Sequence, residues 1–68
     1  MMKPTELRAA RHKLGLTLES MATLLGYEGR HRRQMGCDLE SGRRPIREPQ
    51  RRLVEAYLSG FRPPDWPG

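Results

Sequence analysis

The chain has 68 residues, and 13 Lys and Arg outweigh 8 Asp and Glu, which gives a net charge of +5. A domain of this length buries only about 60% of the surface that its unfolded chain exposes, so we expect no enclosed cofactor cavity and no two-domain active site. No run approaches the roughly 18 apolar residues of a membrane span, and the N-terminus lacks a signal-peptide apolar core. The lone Cys37 cannot form an internal disulfide. These features predict a small, soluble, cytoplasmic domain with no membrane, cofactor or small-molecule partner.

Glycine and proline signals divide the chain into helices, and the scarcity of β-branched residues disfavours strands. The first predicted helix spans about residues 4–13 and is closed by Gly15. The second begins after Thr17, a good N-cap residue, and ends near Leu25 before Gly26. Its apolar residues recur at the clearest helical period in the chain.

The third predicted helix spans about residues 29–41, and the fourth spans about 48–59. The apolar residues of the fourth are expected to face inward: Leu53, Val54, Tyr57 and Leu58. Several prolines follow and forbid another helix. We therefore predict an all-α bundle of four helices, or five with a further short turn, in which residues 1–60 form the domain and residues 61–68 a proline-rich tail.

The positive charge is concentrated in one part of the chain. Between Arg30 and Arg52, eight arginines stand against three acidic residues, so this stretch carries the whole net charge of +5. A clustered basic region on a domain with a pI near 10.4 points first to nucleic acid. A solvated face or a membrane-surface patch is the alternative.

The second and third predicted helices are joined by a tight turn that contains glycine, as in a helix-turn-helix. In that motif the second helix enters the major groove of DNA. Met35 and Leu39 form the apolar pair of the third helix, and we place them inward. At 100° per residue, this orientation directs Arg30 and Arg33 outward and Gln34 to the flank. Since Arg reads guanine and Gln reads adenine, these three are the predicted base readers; contacts with phosphate or solvent alone are the alternative.

Other residues are predicted to contact the DNA backbone. Arg43 and Arg44 follow the recognition helix in a loop, and they are stronger candidates than Arg51 and Arg52, whose helix face is solvated in the alternative interpretation. The remaining predicted backbone contacts are Thr17, Arg32 and Arg47. Arg32 lies nearer the buried side in the helical projection, so either it flanks the core and reaches phosphates or the helix begins irregularly.

Two stretches, LRAARHKLGLTLESMATLLGY and LESGRRP, resemble the Cro/C1-type (XRE) helix-turn-helix family of small bacterial and phage repressors over about residues 5–60. The resemblance implies a lambda repressor-like fold and a transcriptional regulator, as a repressor or autoregulator. It also implies a homodimer that binds double-stranded DNA at an inverted repeat. In the family, the residues that match Arg11 and Glu40 form an ion pair between the first helix and the end of the recognition helix.

The chain departs from the family pattern at two places. Leu18 stands where the family commonly has a Gln that contacts the DNA backbone. The distance from Gly26 to Gly42 is about one helical turn longer than usual, either in the recognition helix or in the loop that precedes it. In this lengthening the chain resembles some compact phage operon regulators, including anti-CRISPR-associated repressors.

Aromatic residues late in the chain support two interpretations. Tyr57, Phe61 and Trp66 either complete the small core, with Trp66 folded back, or form a dimer contact. The alternative function is a protein-interaction module, such as an antitoxin or adaptor, that uses this aromatic C-terminus. RNA binding is less favoured, because no exposed aromatic stacking set accompanies the arginines.

Neither a metal site nor catalysis is expected. Cys37, His12 and His31 match no zinc-ligand spacing, and a nucleophilic cysteine needs a nearby base and an enclosing cleft. Gly36 lies inside the third predicted helix, where glycine costs about 1 kcal/mol relative to alanine. A close helix approach, a close DNA approach or a tolerated weak position would each explain it.

Overall fold

Four helices make up the regular structure of the computed structural model, which describes residues 1–67. They are α1 (Pro4–Leu14), α2 (Leu18–Leu24), α3 (Arg32–Ser41) and α4 (Glu48–Leu58). The predicted all-α class is confirmed, and residues 1–67 contain no strand and no fifth helix. α3 packs against both α2 and α1, and α4 packs against α1. None of these helices is long and apolar enough to cross a membrane.

Local signals account for most helix ends. Thr17 caps α2, since its side-chain oxygen accepts a hydrogen bond from the Ser20 N–H at 3.0 Å. Gly15 and Gly42 follow the last residues of α1 and α3, as expected for C-terminal caps. The observed ends of α1, α2 and α4 lie within one residue of the predicted ends, which is ordinary fraying.

The start of the third helix differs from the prediction. α3 begins at Arg32 rather than near residue 29. Gly26 and Gly29 have φ angles of +100° and +92°, in the left-handed region that a right-handed helix does not use. The extra length between α2 and Gly42 therefore lies in the leading loop, residues 25–31, and not in a longer helix. The prediction of a tight turn between the second and third helices was wrong, because this whole loop separates them.

The core forms where the inward faces of the four helices meet. Its largest fully buried side chains come from every helix: Leu7, Met21, Leu39 and Val54. Tyr57 is buried beside them, whereas Leu53 and Leu58 are 36% and 40% exposed, so their predicted inward placement was wrong. The apolar stripe of α4 is narrow because only one face of it contacts the bundle.

α2 and α3 approach each other closely at Gly36, which is buried. A Cβ atom at this position would lie 2.6 Å from the carbonyl oxygen of Leu18 and 3.2 Å from its carbonyl carbon. Ordinary van der Waals contacts of a Cβ are 3.4–4 Å long. Of the three interpretations of this glycine, the close helix approach is the correct one.

The C-terminal tail folds back on α4. The Trp66 ring packs edge-on against Tyr57, with ring centroids 5.2 Å apart. The Arg62 guanidinium lies 4.2 Å from the Trp66 ring centroid and donates a hydrogen bond to the Tyr57 carbonyl oxygen at 2.7 Å. The predicted tail, residues 61–68, is thus packed on the bundle as far as residue 67; Gly68 lies outside the described residues.

Candidate nucleic-acid interface

Ion pairs neutralise the arginines of α4. Arg51 forms a hydrogen-bonded ion pair with Glu48 and a second pair with Glu55 at 2.8 Å. Arg52 lies 3.6 Å from the Glu48 carboxylate. The hydrogen bond from Arg51 holds the pKa of Glu48 below its ordinary value, and the two carboxylates raise the pKa of Arg51. The acidic side chains of α4 therefore offset the positive charge of its arginines.

Arg32 bridges α3 to α2. Its Nη2 donates to Glu19 Oε1 at 2.6 Å, and its Nη1 donates to Thr23 Oγ1 at 2.9 Å. The Arg32 side chain is 33% exposed. Its head group therefore fastens the two helices together, and the expected contact of Arg32 with the DNA backbone stays a prediction.

The other arginines of the basic stretch lie on the loops that flank α3 and on its first turn. Within residues 1–67, no ion pair is formed by five exposed arginines: Arg30, Arg33, Arg43, Arg44 and Arg47. Four of these arginines lie in the two loops: Arg30 is a predicted base reader, and the other three are predicted contacts with the DNA backbone. The unpaired charge is thus separated from the charge that serves the fold.

The exposed face of α3 carries the predicted base readers that lie on the helix. Arg33, Gln34 and Cys37 are exposed, Met35 is half-buried and Leu39 is buried, so the helical projection holds for α3. Arg30 is also exposed, but it lies in the loop before α3 and its position is not set by helical geometry. The Gln34 side chain donates a hydrogen bond to Asp38 on the next turn.

Tyr27 joins the loop before α3 to the segment after it. The Arg44 guanidinium carbon lies 5.6 Å from the Tyr27 ring centroid, and Gln50 Nε2 donates to the Tyr27 hydroxyl at 3.0 Å. Gln50 is buried and also donates to the Leu25 carbonyl oxygen at 3.4 Å. The two loops that carry unpaired arginines are therefore brought together at one side of the molecule.

Tyr27 and Gln50 were not singled out from the sequence. A signal was present, because Gln50 precedes Val54 and Tyr57 by four and seven residues and so lies on the buried stripe of α4. A polar side chain on such a stripe needs a hydrogen-bond partner. The identity of that partner could not be predicted from the sequence, since Tyr27 lies 23 residues away along the chain.

The end of α3 is fixed to α1 by the pair that the family resemblance implies. Arg11 Nε donates to Glu40 Oε2 at 2.6 Å, and Arg11 Nη1 donates to the Leu16 carbonyl oxygen at 3.0 Å. The two side chains are 13% and 9% exposed, so this ion pair is largely shielded from water. It holds α3 at the end opposite to Arg33 and Gln34.

Thr17 lies at the exposed start of α2. Its hydroxyl accepts from the Ser20 N–H and donates to Ser20 Oγ at 3.0 Å. The cap geometry explains the residue without DNA, so its contact with the DNA backbone stays a prediction. Leu18 follows it and is half-buried, with its carbonyl oxygen facing Gly36.

The late aromatic residues divide between core and surface. Tyr57 is buried, and its hydroxyl donates to the Leu24 carbonyl oxygen at 3.2 Å. Burial raises the pKa of Tyr57, and the charge of Asp65 acts in the same direction. Phe61 stacks on Tyr57 with ring centroids 6.2 Å apart and stays 55% exposed. Tyr57 and Trp66 thus complete the core. A dimer contact by these aromatic residues stays a prediction, and Phe61 is the one whose side chain is most available for it.

Comparisons with known proteins add no relative. The sequence matches no protein-family model, and no curated protein or solved structure is significantly similar to it. The resemblance to the XRE family therefore rests on the quoted sequence stretches. Among residues 1–67, no three His, Cys, Asp or Glu side chains form a group that could hold a metal ion.

Proposed function

We propose that this protein binds double-stranded DNA in a sequence-specific way and regulates transcription, as a repressor or autoregulator of the XRE type. α2 and α3 serve as the helix-turn-helix, and α3 enters the major groove. A homodimer on an inverted repeat follows from the same resemblance. The observation that carries the proposal is the separation of charge within residues 30–52, in which the unpaired arginines lie on α3 and its flanking loops while those of α4 are paired with carboxylates.

Binding to the phosphate backbone of DNA requires Lys or Arg side chains that are not already paired with carboxylates. Each Lys or Arg that neutralises a phosphate releases a condensed counterion, and an arginine already paired with a carboxylate does so less effectively. Arg43, Arg44 and Arg47 supply unpaired charge in the loop after α3. The contact of Arg44 with Tyr27 sets this loop beside the one that carries Arg30. Phosphate contacts from both loops would fix the orientation of α3.

Base recognition falls to the exposed start of α3. Arg33 and Gln34 are long side chains on the first turn of the helix, and both are exposed. An arginine there fits the two acceptors of guanine, and a glutamine fits the donor and acceptor of adenine. Each such bidentate contact discriminates against a wrong base by about 1–3 kcal/mol.

A protein-interaction module, such as an antitoxin or adaptor, is the second candidate function. Its support is two exposed apolar side chains in the C-terminal part of the chain, Leu58 and Phe61. Tyr57 and Trp66 are engaged in the core, so the apolar surface left for a partner is small. Salt separates the two functions, because DNA affinity falls steeply with salt through counterion release and an aromatic contact does not.

Selection from a random duplex library, followed by binding titrations at several salt concentrations, tests the proposal. Arg33→Ala is expected to relax the base preference at one position, whereas Arg44→Ala weakens binding to every sequence and lowers the salt slope by about one unit. Arg52→Ala is the matched control, since Arg52 is exposed but lies beside Glu48, and it is expected to change neither quantity. Failure of the wild-type protein to bind duplex DNA at low salt would refute the proposal.

A further inference from the structure

A hydrogen bond links two polar side chains on the exposed side of α3. Gln34 Nε2 donates to Asp38 Oδ1 at 2.9 Å. The two residues are four apart, which places them one helical turn apart on the same side of α3. Gln34 is exposed and Asp38 is half-buried. The bond therefore holds a surface glutamine that would otherwise rotate freely.

The chemistry of Asp38 settles which way the Gln34 amide faces. An ionised carboxylate only accepts hydrogen bonds, so it selects the amide nitrogen of Gln34 and directs the carbonyl oxygen away from itself. Gln34 makes no other side-chain hydrogen bond within residues 1–67. Its Oε1 acceptor and its second Nε2 hydrogen are thus unengaged, and they lie side by side when Asp38 accepts the Nε2 hydrogen that is trans to Oε1.

Asp38 itself is anchored by its backbone. Its carbonyl oxygen accepts from the Arg44 N–H at 3.2 Å and from the Ser41 hydroxyl at 3.2 Å. These bonds tie the last turns of α3 to the loop that carries the unpaired Arg44. The backbone of the residue that orients Gln34 is therefore bonded to the same segment that supplies phosphate contacts in the proposed function.

We propose that Asp38 is a positioning residue that presents Gln34 for the recognition of adenine, an inference that rests on the proposed binding of DNA by α3. Adenine displays one acceptor and one donor in the major groove, N7 and the N6 amino group, which match the free hydrogen and the free oxygen of Gln34. Guanine displays two acceptors and thymine an acceptor beside a methyl group. Either base would place an acceptor or a methyl group against the oriented carbonyl oxygen.

Orientation and charge have opposite effects on binding. Ordering a flexible side chain before binding removes a cost that corresponds to about a 2- to 10-fold change in affinity. The Asp38 carboxylate also repels the phosphates of every duplex, whatever its sequence. Asp38 therefore strengthens the preference for adenine while it weakens binding to DNA in general, and a residue with only a structural role would not separate these two quantities.

The test compares Asp38→Ala, Gln34→Ala and the double variant, each by selection from a random duplex library and by titration of a random duplex. Asp38→Ala is expected to lower the preference for adenine at one position by about 2- to 10-fold and to raise the affinity for random duplex. Gln34→Ala is expected to lower that preference at the same position, and adding Asp38→Ala to it is expected to change the preference no further. Asp65→Asn removes a carboxylate from the tail and serves as the charge control, with the preference unchanged.

Four results would overturn the inference. Asp38→Ala could leave the adenine preference intact, or lower it equally in the Gln34→Ala background, and then Asp38 does not act through Gln34. If the wild-type protein selects a sequence but Gln34→Ala alters no adenine position, the inference fails and the proposed function stands. If the wild-type protein binds no duplex, both fail. Thermal unfolding of each variant verifies that the helices are intact.

Discussion

The tight contact between α2 and α3 gives a sharp prediction for Gly36→Ala. The new methyl group would lie 2.6 Å from the Leu18 carbonyl oxygen, closer than real Cβ atoms are found. The obstacle is backbone and not the end of a flexible side chain, so relief requires that one helix move relative to the other. The perturbation acts on the packing of the two helices that form the proposed helix-turn-helix.

Two opposing contributions set the size of the effect. Alanine is a better helix former than glycine by about 1 kcal/mol, which favours the variant. Inserting an atom into a packed contact costs about 1–3 kcal/mol, and a backbone obstacle places this case at the upper end of that range or beyond it. We expect a net loss of about 2 kcal/mol of unfolding free energy, which lowers the melting temperature by about 8–16 °C in a domain of this size.

Urea and thermal unfolding, followed by circular dichroism, measure this loss directly. Cys37→Ala is the matched control, because Cys37 is the next residue of α3 and is exposed. We expect it to change stability by no more than about 0.5 kcal/mol. A Gly36→Ala variant as stable as the wild type, or more stable, would refute the reasoning from the close approach to Leu18.

The remaining predictions concern single contacts, and each is measured by chemical denaturation. Thr17→Ala removes the N-cap of α2 and is expected to cost about 1 kcal/mol; no loss would mean that the cap is not formed in solution. Glu40→Ala leaves the Arg11 charge shielded and unpaired, so a loss of about 3 kcal/mol is expected, and a neutral effect would contradict the ion pair. Trp66→Ala is expected to cost about 2 kcal/mol, less than the 3–5 kcal/mol of a fully buried aromatic, because Trp66 is half-buried against Tyr57; an unchanged stability would mean that the tail does not pack. Burial raises the pKa of Tyr57, so the unfolded chain loses this proton first. The free energy of unfolding should therefore fall as the pH rises past about 10, and a Tyr57→Phe variant should lose this dependence.

The helices themselves follow from local features of the sequence. Capping residues such as Thr17 and the 3.6-residue period of apolar side chains act over one or two turns, so they can be recognised without knowledge of the fold. The late start of α3 was missed because Gly29 signals a break only through its backbone conformation, which other contacts select. The exposure of Leu53 and Leu58 was missed for a related reason, since the width of a buried stripe depends on the neighbouring helices.

The positions of charged residues in the sequence place the net positive charge between Arg30 and Arg52, but they do not show which of those arginines form ion pairs. Pairing depends on carboxylates that folding brings near, as Glu19 is brought to Arg32 across 13 residues of sequence. The same holds for the joining of two loops by Tyr27 and for the folding of Trp66 onto Tyr57. Helix propensity and the number of charges can be predicted from the sequence, whereas the partner of each charged side chain depends on how the helices pack. The separation of free from paired arginines, on which the proposed function rests, therefore appears only once the helices are assembled.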